Sequence, residues 1–543
     1  MRIGTFKYLF FMLSLSMQAQ EEHAWVYFTD KPSATNYLEA PLTMLTQKSL
    51  DRRASQSIEF DLQDVPLEPT YVSAVANSTG ITVKARSKWL NALHVIGTKE
   101  NIDALLNFEG VASVIYASHA LNKGGKKRSK HPKNKWVFSS QESNLAYGLA
   151  SNQIEMLKGD FLHDLGYTGK GMTIALMDAG YKGVEIFDAF SNLSDGNMEN
   201  GEILGGYDYV HRDTDFYRDT GNTHGLSVLS TIAAFQDTEF IGTAPDAYFY
   251  LFVTENPATE TPLEESLWVE AAERADSLGV DVINTSLGYS TFDESAYDYT
   301  YADMDGATTF ITRGAEIAAS KGMVVVNSAG NSGNDPWHYI TAPADAPSVL
   351  TVGAVDPNEE TAFFSSYGPT ADNRIKPEVL AQGQSVYVIN GAGNTALSNG
   401  TSFSSPIIAG LVACLWQSLP EKSATEIRGL IQSSADLYLA PENQRGYGIP
   451  DFESIPVSLQ VSECLRESPK IATNSVEINL KVVLPERNAE ALLVVSDMRG
   501  RILLKQKLNH RENKIDVSGL NTGLYLANVW YGQNQHVFQF IKK

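Results

Sequence analysis

Between residues 145 and 455 this 543-residue chain repeats one pattern, and no other feature narrows its possible folds as much: short, almost wholly apolar segments separated by stretches of helical periodicity. Met172-Thr-Ile-Ala-Leu-Met177 and Met323-Val-Val-Val326 have the length and composition of strands covered on both faces. Glu264–Ser277 sets Leu267, Ala271 and Ala275 on one helical face, and Val280-Asp-Val-Ile-Asn284 follows as the next strand. Gly314–Ser320 reads as a helix leading into Met323–Val326. Apolar strands alternating with helices imply a largely parallel sheet, because each crossover helix returns over a face of that sheet. Ser405–Leu419 is expected to be a buried helix with Pro406 in its first turn, where a missing N–H is tolerated.

The flanks differ from this α/β region. Residues 1–20 have a secretory leader's layout: Arg2 and Lys7, an apolar stretch from Tyr8 to Leu15, and small Ala19 near a cut site. Residues 21–120 form a small αβ unit. Ala24–Phe28 and Val72–Ala76 read as strands, and a short helix opens at Ile102–Leu106. Residues 121–144 are a basic linker, with seven positive charges within Lys123–Lys135 beside two glycines and a proline. Such a segment cannot form a core, and exposure makes it open to proteolytic nicking. After a linker at 456–472, residues 473–543 alternate as strands over Val476–Leu484, Ala491–Ser496, Arg501–Leu508 and Leu524–Trp530, the pattern of a β-sandwich.

The formal charge of −22 resides in the chain beyond the basic linker, and an acidic surface disfavours nucleic acid as a partner. Two cysteines, Cys414 and Cys464, exclude a disulfide scaffold and a cysteine-rich zinc site, and they read as separate thiols. No run of about twenty apolar residues is present to span a membrane.

Four positions could carry chemistry. Asp178 stands at the carboxyl end of an apolar strand, where parallel sheets bind ligands, although strand-end acids also cap helices. His224 lies in Gly221-Asn-Thr-His-Gly225 before a helix-capable run, either projecting from the helix start or capping it. Ser402 precedes the apolar helix in Gly400-Thr-Ser-Phe-Ser-Ser-Pro406; a hydroxyl there can act as a nucleophile near free amides or as an ordinary N-cap. Thr401, Ser404 and Ser405 are chemically eligible too. Asn331 follows an apolar strand and can donate to an oxyanion, or merely form a turn.

Taken in order, the segments resemble the subtilisin family of serine peptidases. The resemblance rests on Ile174–Gly180, His224–Ser230, Gly242-Thr-Ala-Pro-Asp-Ala247, Asn284–Gly288, Ser328-Ala-Gly-Asn331, Pro343–Ala346 with Val349–Asp356, Phe364–Pro369 with Lys376–Ala381, and Gly400–Pro406. It implies a subtilisin-like fold and a serine endopeptidase in which Asp178, His224 and Ser402 are catalytic and Asn331 binds the oxyanion. It further implies that substrate pairs with Ser286, Leu287 and Gly288, and that Ser328, Ala329 and Gly330 wall the pocket for the side chain before the cut. Leu226, Leu229 with Ser230, and Phe403 with Ser404 depart from the family's usual small residues.

By position, residues 21–120 resemble the family's inhibitory propeptide. The last module resembles a type IX secretion sorting domain through Gly519–Tyr525 and Lys542-Lys543. These resemblances imply a Bacteroidota-like cell, export through both membranes, release or surface attachment, and the secretion machinery as partner. No cofactor is required by this chemistry. Structural calcium is possible at Asp208, Asp213, Asp215 and Asp219, but no complete loop motif is present. The competing readings are a noncatalytic binding protein on a peptidase scaffold and a serine esterase.

Overall fold

The computed structural model describes residues 20–122, 146–193, 201–455, 470–471, 475–484, 491–498, 501–510, 512–531 and 534–543. The leader, most of the basic linker and Cys464 lie outside the described residues. The chain divides into two units, Met1–Glu453 and Ser454–Lys543.

In the first unit, seven short strands form one parallel sheet. Their spatial order is Val379–Gln382, Leu350–Val355, Val324–Ser328, Val282–Thr285, Thr173–Asp178, Tyr248–Val253 and Glu202–Asp208. The four central strands, from Leu350–Val355 to Thr173–Asp178, are buried along their whole length, which accounts for their near-continuous apolar character. The helix Pro262–Leu278 starts at a capping box, Thr261 with Glu264, with Pro262 in the first turn; Gly279 ends it at φ 80°.

The helix expected at Ser405–Leu419 begins earlier, at Thr401, and ends at Ser418. Pro406 therefore lies inside it rather than in the first turn. A proline there removes the N–H that would bond the Ser402 carbonyl. That carbonyl instead accepts a 2.8 Å hydrogen bond from Ser286 Oγ, so the proline ties the start of the helix to a neighbouring strand end.

Residues 21–116 of the same unit build a four-stranded antiparallel sheet in the order Ile81–Ser87, Ala92–Thr98, Glu21–Phe28, Val111–Tyr116. Alternation along Glu21–Phe28 separates two cores. Ala24, Val26 and Phe28 pack with Val72, Val75 and Ile102, whereas Trp25 joins Trp268 and Phe310 of the larger sheet's helices. The strand expected at Val72–Ala76 is instead part of a helix, Pro69–Ala76. Pro69 opens it, and the buried residues Val72 and Val75 are three apart with exposed Ser73 and Ala74 between them, a helical period.

The small sheet docks on the Pro262–Leu278 helix through buried charge. Arg53 forms a fork to Asp64 at 2.8 and 2.9 Å and reaches Asp276 at 2.6 Å, while Arg52 meets the other oxygen of Asp276 at 2.6 Å. Lys321 closes the network against Asp61 and Asp64. One turn earlier, Glu273 accepts from Ser87 Oγ at 2.7 Å and from the Lys88 and Trp89 amides at 3.0 Å.

The second unit has a three-stranded and a five-stranded sheet. Leu480, Val482 and Ile515 of one share a buried core with Leu493, Val495, Ala527, Val529 and Phe540 of the other. This is the expected β-sandwich pattern. Three of its described strands, Lys470–Ile471, Glu512–Asp516 and Asn534–Lys542, fall where no strand was expected.

Candidate active site

Asp178 ends the strand Thr173–Asp178 and is buried. His224 opens the helix His224–Ala233, its N–H bonded to Asn222 Oδ1 at 2.8 Å. His224 Nδ1 stands 2.8 Å from Asp178 Oδ1, an oxygen that also accepts the Ala179 amide at 2.7 Å. Close approach of the helix start to the strand end requires Gly225, where a Cβ would lie 2.7 Å from the Gly180 carbonyl and 3.0 Å from Asp178 Cβ. Burial disfavours the charged imidazole, but the Asp178 carboxylate outweighs it and holds the His224 pKa above its ordinary 6.5.

Ser402 is the second residue of the helix Thr401–Ser418. Its hydroxyl donates to the Ser286 carbonyl at 3.2 Å, while the Ser286 hydroxyl bonds the Ser402 carbonyl. Asn331 Oδ1 accepts from the Thr401 amide at 2.8 Å and from Thr401 Oγ1 at 3.0 Å, leaving the amide NH2 to face elsewhere. The Cβ position of Gly400 is 3.7 Å from both Asn331 Nδ2 and the Ser402 amide nitrogen. Two donors thus flank one point, and Gly400, at φ 150°, keeps side-chain atoms out of it.

Ser286 touches Ser402 directly, and the Gly330 amide donates to Thr401 Oγ1 at 3.2 Å. Ser328 and Ala329 are buried, Leu287 is half-buried and Gly288 is exposed. The bulky departures are accommodated by burial. Leu226 and Leu229 are fully buried, Ser230 Oγ accepts the Ile389 amide at 2.9 Å, and the Phe403 ring lies 5.9 Å from that of His224.

A cleft of about 380 Å³ adjoins His224, lined by Asp178, Ser286 and Leu287 and by three acids not singled out from sequence: Glu255, Glu260 and Asp293. The logic that places Asp178 applies to Glu255 as well, since Val253 ends the adjacent strand in register with Asp178. Thr401, named from sequence only as another eligible hydroxyl, instead orients Asn331.

The acids named for possible calcium have side-chain partners of their own. Asp208 pairs with His211 at 2.8 Å, Asp213 with Arg218 and Asp219 with Lys182. Among the described residues, no group of three or more His, Cys, Asp or Glu side chains comes together as a metal site. Cys414 is buried and unpaired, its thiol directed to the Thr243 carbonyl at 3.2 Å.

Fold and relatives define the class as serine endopeptidase. The chain belongs to the subtilase family, whose description matches residues 169–449. Subtilisin DY of Bacillus licheniformis is 31% identical over 284 residues, covering 52% of this chain and 90% of that protein. A subtilisin of Bacillus pumilus is 30% identical, covering 55% and 96%, and subtilisin E of Bacillus subtilis is 29% identical, covering 58% and 74%. Residues 23–135 match the peptidase S8 propeptide domain of Bacteroidota, and residues 469–543 match the secretion system C-terminal sorting domain. The chain is thus a subtilase precursor, with an inhibitory propeptide and a type IX tail that directs secretion or surface attachment. Among the described residues, no helix is long and apolar enough to cross a membrane.

Proposed function

We propose that Ser402 attacks the scissile carbonyl of an extended peptide, with His224 as base, Asp178 as its orienting partner and Asn331 as oxyanion donor. The observation that carries this reading is the 2.8 Å contact of His224 Nδ1 with Asp178. It leaves Nε2 as the proton acceptor. In this reading the Ser402 proton leaves the Ser286 carbonyl for His224 Nε2 as Oγ bonds the carbonyl carbon. The new oxyanion takes hydrogen bonds from Asn331 Nδ2 and the Ser402 amide. Collapse breaks the C–N bond, and His224 delivers its proton to the leaving amine. Water, activated by His224, then releases the acyl group.

The substrate backbone pairs with Ser286, Leu287 and Gly288, and Ser328, Ala329 and Gly330 wall the pocket for the side chain before the cut. No cofactor enters these steps. Casein hydrolysis by the mature chain, lost on Ser402→Ala, tests the reading; a mature wild type that cuts no peptide, or only esters, overturns it.

A further inference from the structure

The cleft beside His224 is acidic, and among the described residues its acids Glu255, Glu260 and Asp293 have no cation beside them. Glu255 bonds Tyr289 Oη at 2.6 Å, and Asp293 Oδ2 accepts the Glu260 amide at 3.0 Å, tying two distant segments into one rim. Among the described residues, no ion pair includes Glu255, Glu260 or Asp293. Burial pushes Glu255 well above the usual carboxylate range. Glu260 is exposed as a residue, but partial desolvation of its carboxyl, with Asp293 beside it, pushes it up to about 7. Acids in that condition gain from a cation brought among them. The cleft is also lined by Asp178, whose Oδ2 is buried without a hydrogen-bond partner.

The chain itself supplies a matching occupant. The last described turn of the propeptide, His119–Leu121, packs on Ser295–Tyr297, and the His119 ring lies 5.7 Å from that of Tyr299. Asn122 hydrogen-bonds Tyr116 in both directions. The residues that follow, outside the described ones, start with Lys123 and carry seven positive charges in thirteen positions. Their charge is opposite to that of the rim.

We propose that Glu255, Glu260 and Asp293 make the cleft select lysine or arginine in the stretch of substrate preceding the cut, a selectivity that the basic Lys123–Lys135 stretch of this chain would satisfy. This rests on the peptidase reading above. Extended peptide along Ser286–Gly288 brings side chains before the cut past this rim, and each filled ion pair favours the basic peptide. A tenfold preference corresponds to about 1.4 kcal/mol.

The test uses mature enzyme and pairs of quenched peptides identical except for Lys or Gln at each of the positions two to four residues before the cut. The expected result is a kcat/KM ratio of about ten or more for Lys at one or more positions. Glu260→Gln and Asp293→Asn should lower that ratio, and Glu260→Lys should shift preference to a Glu-bearing peptide. Exposed Glu260 and Asp293 allow these changes without disturbing the core, and thermal melts check it. In a second arm, mature enzyme should cut the full Ser402→Ala precursor within 123–135 and spare the same precursor with its linker lysines and arginine changed to Gln. Equal cleavage of Lys and Gln peptides, unaffected by the variants, overturns this inference alone. Cleavage of neither peptide overturns the peptidase reading and this inference with it.

Discussion

Acids near the two ends of the Pro262–Leu278 helix have opposite surroundings. In its last turns, Glu273 and Asp276 are buried under the propeptide, met by Arg52, Arg53 and three hydrogen-bond donors. Just before and beside its first turn, Glu255, Glu260 and Asp293 line an open cleft with no cation among the described residues. An acid in a helix's last turn works against the helix dipole and so needs an external partner. Here that partner is the propeptide. In the reading proposed above, negative charge on this chain has two uses, holding the propeptide and receiving a substrate, separated by whether a cation is already built in.

Changes on the two sides should therefore fail in different ways. Ser402→Ala should reduce peptide hydrolysis by on the order of a millionfold, measured on chain processed in trans. It should leave the propeptide docked, seen as an uncleaved precursor of unchanged melting temperature. Arg53→Met does the reverse. It removes the cation that Asp276 and Asp64 share, leaving Arg52 and Lys321 as their remaining partners, and losing one partner of a buried pair costs up to about 3–5 kcal/mol. Denaturant unfolding of the Ser402→Ala precursor should show that loss, and an unchanged midpoint would refute the docking role. Asn331→Ala should lower kcat by about 10²–10³ with little change in KM, because such a donor acts on the oxyanion rather than on bound substrate.

Proton linkage divides the regions as well. The His224 pKa is raised, so the residue is protonated, and unable to accept the Ser402 proton, as pH falls through a value above 6.5. The acid limb of kcat/KM for mature enzyme should lie above 6.5, and Asp178→Asn should move it down. At the docking face, burial and Lys84 lower His23 from 6.5 to about 4. Its neutral form belongs to the docked state, so docking weakens as pH drops from 6.5 toward 4, by up to about 1.4 kcal/mol per unit. Glu273, raised by burial to about 7, works in the opposite direction. Replacing His23 by Phe should flatten only the histidine contribution, measured as the acid dependence of precursor unfolding.

Much of the fold was legible because buried parallel strands are apolar without interruption and end at informative residues. Met172–Met177 predicted a strand, and the structure places Asp178 at its carboxyl end. Val72–Ala76 was misread because Val, Ala and Ser suit either element over five residues; Pro69 and the three-residue spacing of Val72 and Val75 were the better evidence. Pro406 was placed in a first turn because the true start, Thr401, has no side-chain cap to announce it. That Asp208, Asp213 and Asp219 lie beside His211, Arg218 and Lys182 was not legible either, because it depends on the folded path of the loop before His224.

Sequence alone determined the order Asp178, His224, Asn331, Ser402 and the strand-end or helix-start position of each. These are local properties, written in residues adjacent along the chain. Only the tertiary structure decided that His224 meets Asp178, that Thr401 turns Asn331, and that Glu255, Glu260 and Asp293 share a cleft while Asp276 does not. Pairing of charges depends on which distant segments the sheet and its helices bring within a few ångströms, and no local pattern encodes that distance.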